Sequence, residues 1–192
     1  MKIGLYGGTF DPIHLGHLIL ARTALEELQL DQMVFIPAAI SPHKLATSPT
    51  PAATRWEMIQ TSIAGEAAFA ADDLELHRAS PSYTYDTVAS YRERFPEAEL
   101  FYFIGTDNLP QLHTWYRIEE LKELVTFVVL DREVPREAPE TARGFPTISR
   151  RIDISASEIR NRVAKGLSIR YLVTAPAEEL IRRHHLYQPP SY

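Results

Sequence analysis

The chain alternates between two patterns of hydrophobic positions. Short apolar runs at 2–6, 33–36, 100–104 and 125–130 predict strands, and two less regular segments, at 74–76 and 148–154, predict two more. Between them, apolar residues recur at helical spacing and predict helices at 15–30, 53–64, 84–94, 118–124, 155–165 and 176–186. Strands that are apolar on both faces are typical of parallel sheets covered by helices. We therefore predict an α/β fold, a doubly wound (Rossmann-like) parallel sheet with helices on both faces and a small C-terminal helical part.

Two long segments interrupt this pattern. Residues 37–51 contain four prolines and residues 131–146 contain three, and neither segment shows a period. Loops of this length in a compact protein are often functional. Because no repeat or linker composition separates the elements, we predict that residues 1–192 form one domain.

The composition excludes several classes of site. The 192 residues include no cysteine, which rules out a disulfide framework, a thiolate metal site and a cysteine nucleophile. The net charge of -5 makes a nucleic acid polymer a poor partner. No apolar run approaches the roughly 18 residues of a membrane span, and the first residues lack a signal-peptide pattern. We therefore expect a cytoplasmic protein that does not insert into a membrane.

Polar residues cluster where three of the predicted strands end. The segments are GGTFDPIHLGH at 7–17, GTDN at 105–108 and SASEIR at 155–160. Four of the eight glycines, Gly7, Gly8, Gly16 and Gly105, fall in them. Ligands of open parallel sheets bind at the carboxyl ends of the strands, and glycine allows a ligand to approach the main chain. This arrangement predicts a ligand that touches main chain, such as a nucleotide.

His14 and His17 lie three residues apart at the start of a predicted helix. This spacing places both rings on one face, where the helix N-terminus favours phosphate. Gly16 between them is expected to leave room for phosphate oxygens. Two alternatives stay open, a pair of incidental histidines and a zinc site, although no third ligand occurs at a typical spacing.

The segment 7–17 resembles the signature of the nucleotidyltransferase superfamily that carries an H-x-G-H motif. That motif alone is shared with pantetheine-phosphate adenylyltransferases, cytidylyltransferases and class I aminoacyl-tRNA synthetases. Further segments resemble the bacterial nicotinate-nucleotide adenylyltransferases more specifically. They are SPHK at 41–44, PSYTYDT at 81–87, GTDNLPQLHTW at 105–115, ISASEIR at 154–160 and the C-terminal YLVTAPAEELIRRHHLY.

The resemblance implies an enzyme of NAD biosynthesis. Such an enzyme joins ATP and nicotinate mononucleotide to give nicotinate adenine dinucleotide and pyrophosphate, by direct in-line attack without a covalent intermediate. The implied cofactor is Mg²⁺ carried with ATP rather than a protein-bound metal, and the implied assembly is a homodimer. Another phosphate acceptor, such as phosphopantetheine or nicotinamide mononucleotide, and a non-catalytic nucleotide sensor remain alternatives.

The resemblance also assigns residues to roles. The implied catalytic residues are His14, His17, Lys44 and Arg160. The implied ATP-binding residues are Gly7, Gly8, Thr9, Phe10, His14, His17, Gly105, Asp107, Ile154, Ser155, Ser157 and Arg160. The implied residues for nicotinate mononucleotide are Thr9, Lys44, Ser82, Thr84, Tyr85, Asp107 and Trp115.

Local chemistry is compatible with several of these roles. Ser155 and Glu158 form an S-x-x-E capping-box pattern, and Arg160 can reach back toward the same helix start. Ser82 or Thr84 can cap the helix at 84–94, whose first N–H groups suit a carboxylate better than a carboxamide. Trp115 is expected to stack on the pyridine ring, although core packing is the alternative for a lone tryptophan.

Overall fold

The computed structural model describes residues 1–39, 49–78, 82–131 and 144–189. These residues form six strands, six α-helices and one 3-10 helix. In chain order they are β1 (Lys2–Gly8), α1 (Leu15–Glu27), β2 (Gln32–Pro37), α2 (Ala52–Ile63), β3 (Phe69–Ala71), α3 (Thr84–Arg94), β4 (Glu99–Gly105), the 3-10 helix (Thr106–Thr114), α4 (Ile118–Leu124), β5 (Thr126–Asp131), β6 (Thr147–Ser149), α5 (Ala156–Ala164) and α6 (Ala175–Arg183).

The six strands form one parallel sheet in the order β3-β2-β1-β4-β5-β6. The chain builds one half of the sheet outward from β1 and the other half outward from β4, so the winding direction reverses between these two central strands. A crevice opens at the carboxyl ends of the strands at such a switch point. The predicted doubly wound parallel sheet is confirmed, and two helices follow its last strand.

Two hydrophobic clusters cover the two faces of the sheet. One contains side chains of α1, α2, α5 and α6, such as Leu20, Met58 and Leu180, and the other contains side chains of α3 and α4, such as Val88 and Leu121. Successive residues of a strand point to opposite faces, so a strand covered on both sides is apolar throughout. This explains the continuous apolar runs in the sequence and confirms helices on both faces. No helix in the described ranges is long and apolar enough to cross a bilayer.

The third strand lies at Phe69–Ala71, so the strand predicted at 74–76 is wrong. Asp72 redirects the chain after β3, because its carboxylate accepts the backbone N–H of Leu74 at 3.0 Å. A further turn follows, in which the N–H of Leu76 bonds the carbonyl of Asp73 at 2.8 Å. Aspartates that bind nearby N–H groups favour turns over strands, and this outweighed the apolar run.

The remaining differences are at element ends and in one helix. β6 ends at Ser149 rather than 154, and the N–H of Arg150 makes a last bond to the carbonyl of Asp131 at 3.0 Å. The 3-10 helix at Thr106–Thr114 was not predicted, because Pro110 inside it removes a donor and disturbs the helical period. Most of the two predicted loops, 40–48 and 132–143, lies outside the described residues.

Candidate functional site

A cavity of about 700 Å³ opens at the carboxyl ends of β1 and β4. Residues 7–10 and His17 form one wall, residues 82–84 a second, and residues 105–108 with Trp115 a third. This volume is within the range of small-molecule sites, about 300–1,000 Å³. The fold thus brings together residues 7–17, called the signature loop below, the start of α3 and the end of β4, although they are far apart in sequence.

The two histidines stack on each other at the start of α1. Their ring centroids are 3.7 Å apart, so the spacing argument that placed them on one face is confirmed. The backbone N–H of His14 donates to Nδ1 of His17 at 3.2 Å. A neutral imidazole that accepts at Nδ1 carries its proton on Nε2, so His17 presents an Nε2–H donor. His17 lines the cavity, whereas His14 is only 1% exposed and lies behind it.

Gly16 makes room for a side chain rather than for phosphate. A Cβ at this position would lie 3.0 Å from Nδ1 of His14 and 3.1 Å from Cγ2 of Ile152. The expectation that the glycine leaves space for phosphate oxygens is therefore wrong, since the His14 ring occupies that space. A larger residue here would displace the ring that supports His17.

Phe10 forms the wall between the signature loop and the core. Its backbone has φ of 47°, a left-handed conformation that costs a non-glycine residue about 1–2 kcal/mol. The ring is 3% exposed and packs edge-on against His17 at 5.1 Å and Tyr6 at 5.6 Å between centroids. The packing of the ring stabilises this strained turn, which in turn orients Thr9 and His17 along the cavity.

The start of α3 offers unused backbone donors. The helix begins at Thr84 with Tyr83 as N-cap and no side-chain cap, so the predicted capping by Ser82 or Thr84 is wrong. The Thr84 hydroxyl instead donates to the Tyr102 hydroxyl at 3.4 Å. The N–H groups of Thr84 and Tyr85 donate to no group in the described part of the chain. Uncapped N–H groups at a helix N-terminus bind anions, including carboxylates.

Trp115 belongs both to the core and to the cavity wall. Its ring is edge-on to Tyr102 at 6.2 Å and to Phe127 at 6.1 Å, and part of it lines the cavity. The two interpretations of this tryptophan, core packing and a platform for a ligand ring, are compatible. The ring of Tyr85 does not line the cavity, because it packs under the guanidinium of Arg117 at 3.9 Å.

Glu75 is a buried carboxyl group in the cavity wall that the sequence did not single out. It is 4% exposed, and its Oε1 accepts the Thr87 hydroxyl at 2.7 Å. Burial raises the pKa of Glu75, and the Thr87 hydrogen bond and the Arg78 charge act in the opposite direction. Burial likewise raises the pKa of Tyr102, and the Glu75 charge adds to the effect, so its hydroxyl stays protonated. Glu75 precedes the signature-like segment 81–87, and its own sequence neighbourhood gave no signal.

Asp107 lies at the end of β4, where it lines the cavity. Its Oδ1 accepts the side-chain amide of Asn108 at 3.0 Å. The carboxylate folds over the main chain of Gly105, in the space that a Cβ would fill. Gly105 is therefore needed for the position of this carboxylate, which is exposed to a ligand in the cavity.

Arg160 connects α5 to the signature loop. Ser155 caps the helix by accepting the N–H of Glu158 at 3.1 Å, which confirms that half of the predicted capping box. The Arg160 guanidinium reaches back as expected, and donates to the Ser157 hydroxyl at 3.1 Å and to the carbonyl of Asp11 at 2.7 Å. These groups do not line the cavity but lie next to the signature loop that does. Ile154 packs against the core, and Lys44 is outside the described residues.

Arg55 is a buried cation behind the signature loop. It is 1% exposed, and its guanidinium donates to the carbonyls of Thr9 at 2.7 Å, Ala38 at 2.9 Å and Thr50 at 2.9 Å. Burial lowers its pKa, and the Asp11 charge partly opposes this. The sequence spacing could have predicted this burial, since Met58 and Ile59 follow Arg55 by three and four residues and therefore share one helix face with it.

The described residues hold no group of three or more His, Asp or Glu side chains that could bind a metal ion. The zinc alternative for the histidine pair therefore has no third ligand in these ranges. The two histidines instead bond and stack with each other at the helix start.

Comparisons with known proteins agree with this architecture. The family model described as cytidylyltransferase-like matches residues 5–162. A "Probable nicotinate-nucleotide adenylyltransferase" of Exiguobacterium sibiricum is 43% identical over 97% of this chain and 99% of its own length. A protein of the same name from Thermus thermophilus is 43% identical over 98% of this chain and its entire length.

A solved structure has the same fold. It is the nicotinic acid mononucleotide adenylyltransferase of Plasmodium falciparum complexed with NaAD, with a TM-score of 0.80, 21% identity and coverage of 97% of both chains. The sheet order and the matched model first place the protein among nucleotidyltransferases with a cytidylyltransferase-like domain. Its full-length relatives then narrow the assignment. The chain belongs to the nicotinate-nucleotide adenylyltransferase family.

Proposed function

We propose that the protein transfers the adenylyl group of ATP to nicotinate mononucleotide, releasing pyrophosphate and forming nicotinate adenine dinucleotide. The main support for this proposal is that nearly the whole chain is 38–43% identical to relatives named for that activity. The cavity supports it independently, because it combines an aromatic wall, unused backbone donors and an imidazole donor along one surface.

The nicotinate end of the mononucleotide fits the wall formed by α3 and Trp115. The pyridine ring packs on Trp115, and its carboxylate accepts from the N–H groups of Thr84 and Tyr85, beside Ser82. A carboxamide would turn its own NH2 toward two donors in one of its orientations, which leaves buried groups unpaired. This gives a physical basis for preferring nicotinate. Asp107 accepts from ribose hydroxyls at the end of β4.

The reacting phosphates lie at the signature loop. An oxygen of the 5′-phosphate, for which the family resemblance implies Thr9 and Lys44 as binding residues, attacks the α-phosphorus of ATP, and the bond from that phosphorus to the bridging oxygen breaks as pyrophosphate leaves. A phosphate monoester needs no side-chain base near neutral pH, so catalysis consists of positioning and charge stabilisation. His17 donates from Nε2 to a phosphate oxygen, and His14 supports its ring. Gly7, Gly8, Phe10 and Gly105 provide main chain and space for the adenosine half.

The pyrophosphate end lies toward α5. Among the described residues, two N–H groups of Arg160 donate to Ser157 and Asp11, and since a guanidinium has five, three others are available there for phosphate oxygens. Ile154, Ser155 and Ser157 form the helix start beside it. Lys44 supplies a second cation in this proposal. Together they stabilise the charge that develops on the leaving group.

Magnesium would arrive with ATP and neutralise phosphate charge. Both carboxylate oxygens of Asp11 already accept hydrogen bonds, and Asp107 accepts one from Asn108. The carboxylates near the site are therefore poorly suited to enclose an ion, and Mg²⁺ commonly keeps phosphate and water ligands. A cytoplasmic location and a homodimer stay predictions from the family resemblance.

The test measures pyrophosphate release with Mg²⁺ and pairs of substrates. ATP is combined in turn with nicotinate mononucleotide, nicotinamide mononucleotide and phosphopantetheine, and CTP replaces ATP as the donor control. We expect release with ATP and nicotinate mononucleotide, and kcat/KM at least about tenfold lower with the nicotinamide compound. ATP binding without release from any acceptor would instead identify a nucleotide sensor and overturn the proposal.

A further inference from the structure

Asp11 joins three distant parts of the chain behind the proposed phosphate site. The Tyr187 hydroxyl donates to Oδ1 at 2.6 Å, and the backbone N–H of Thr50 donates to Oδ2 at 3.1 Å. The backbone carbonyl of Asp11 accepts Arg160 at 2.7 Å. Each oxygen of the residue therefore has one donor, and each donor comes from a different segment.

Tyr187 occupies a backbone position that does not favour tyrosine. It follows α6 with φ of 61°, in the left-handed region, where glycine or asparagine is more usual. Its ring packs against the core cluster of α1, α2, α5 and α6, which aims the hydroxyl at Asp11. Burial and the Asp11 carboxylate both raise the pKa of Tyr187. The hydroxyl therefore keeps its proton and can serve only as a donor to this carboxylate.

Arg55 also lies near Asp11, whose charge opposes the lowering of the Arg55 pKa by burial, but its guanidinium is already bonded to backbone carbonyls. Arg160 is therefore the cation that the Asp11 carboxylate would capture if it lost its donor. The guanidinium already touches the backbone carbonyl of the same residue, and its charge acts on the Tyr187 hydroxyl. A charge-assisted bond to a carboxylate is stronger than the present bond to a carbonyl. With one oxygen of Asp11 left unpaired, Arg160 would gain a competing partner beside the phosphate site.

We propose that Tyr187 is a positioning residue for ATP binding. By saturating the Asp11 carboxylate, it keeps that carboxylate turned toward Thr50 and leaves the guanidinium of Arg160 available to the polyphosphate. The C-terminal segment thereby becomes part of the active-site machinery. This inference rests on the phosphate-binding role proposed for Arg160.

The test is a double-mutant cycle on Tyr187→Phe and Asp11→Asn. Tyr187→Phe removes one oxygen and keeps the ring, and we expect kcat/KM for ATP to fall about tenfold, the scale of one charge-assisted hydrogen bond. KM for nicotinate mononucleotide should change by less than about twofold, because Tyr187 does not line the cavity in which its ring and ribose are proposed to bind. Tyr171→Phe is the matched control, since this exposed tyrosine makes no hydrogen bond in the described residues.

Adding Asp11→Asn to Tyr187→Phe distinguishes positioning from simple loss of structure. The amide oxygen can still accept Thr50, but a neutral amide cannot capture Arg160. We therefore expect the second change to restore kcat/KM for ATP to within about threefold of the wild-type value. Additive losses, equal effects on both substrates, or a Tyr187→Phe protein that does not fold would overturn the proposal.

Arg160→Ala separates the inference from the proposed function. If the wild-type protein releases pyrophosphate from ATP and nicotinate mononucleotide, and Arg160→Ala lowers kcat/KM for ATP, the proposed function and role stand. An unimpaired Tyr187→Phe variant then overturns the positioning role alone. If Arg160→Ala leaves kcat/KM for ATP unchanged, the phosphate role of Arg160 fails and the inference fails with it.

Discussion

Replacement of Arg55 tests whether the buried guanidinium holds the signature loop in place. The side chain extends from α2 into the region between Thr9, Ala38 and Thr50, and donates to the carbonyl of each. Arg55→Met keeps much of the apolar stem and removes all the donors. The three carbonyls, which belong to partly buried residues, then lose the donors of a side chain that is itself 1% exposed.

The expected loss follows from this geometry. An unsatisfied buried acceptor costs about 1–3 kcal/mol, so three acceptors give an upper range of roughly 3–9 kcal/mol. Releasing the arginine from the interior returns part of this, because burying a charged group carries its own desolvation cost. We expect a net loss of about 3–5 kcal/mol in the free energy of unfolding. In a chain of this size the melting temperature should fall by about 6–20 °C.

Arg92→Met is the matched control. The guanidinium of Arg92 also donates to carbonyls, those of Pro96 at 3.2 Å, Ala98 at 2.7 Å and Leu124 at 2.7 Å, but the residue is only half-buried. Water can replace its bonds, so we expect a loss of about 1 kcal/mol. The two variants are compared by urea unfolding and by pyrophosphate release below their melting temperatures.

Activity should separate the two arginines as well. Thr9 lines the cavity, so movement of its carbonyl should lower kcat in Arg55→Met, whereas Arg92 contacts no part of the cavity. Equal losses of stability in the two variants would refute the burial argument. A stable, fully active Arg55→Met protein would refute both the stability estimate and the positioning of Thr9.

Three further predictions concern the cavity. His17→Ala should lower kcat by about a hundredfold or more, which is the scale of losing one preorganised donor. His113→Ala is the control, since it changes an exposed histidine outside the cavity and should leave kcat unchanged. A near-normal rate in His17→Ala would refute the proposed role of His17. Trp115→Ala should raise KM for nicotinate mononucleotide more than KM for ATP, with Trp56→Ala as the control outside the cavity; equal effects on both substrates would argue against stacking. Glu75→Gln should raise the melting temperature more at about pH 7 than at about pH 4. The pKa of Glu75 is raised in the folded protein, so ionisation of Glu75 opposes folding as the pH rises, and a glutamine does not ionise. A difference in melting temperature between the two proteins that does not change with pH would contradict this.

Local sequence information was sufficient where neighbours along the chain decide the structure. The apolar runs located β1, β2, β4 and β5, because a strand that is buried on both faces is largely apolar, and the strand predicted at 148–154 overlaps the edge strand β6. The spacing of His14 and His17 placed their rings together, because residues three apart share a helix face. Ser155 capped α5 as its motif predicted.

Local information failed where a more distant or competing group took part. Gly16 admits the His14 ring rather than phosphate, and Thr84 bonds Tyr102 instead of capping α3. Residues 74–76 form no strand, because the Asp72 carboxylate accepts the N–H of Leu74 and turns the chain there. Tyr102 lies 18 residues from Thr84 and could not be identified from the adjacent sequence, whereas His14 and Asp72 are near neighbours whose side-chain orientation the residue spacing alone does not give.

The sequence by itself determined the layered fold, the position of the signature loop at a strand end and the class of ligand, because periodicity and local motifs are properties of consecutive residues. Only the tertiary structure decided that Asp11 meets Thr50, Arg160 and Tyr187, which lie 39, 149 and 176 residues away from it in the chain. It also decided that Arg55 is buried beneath Thr9. Such contacts depend on how completed helices and strands pack against one another, and a hydrogen bond between distant segments leaves no period in the sequence.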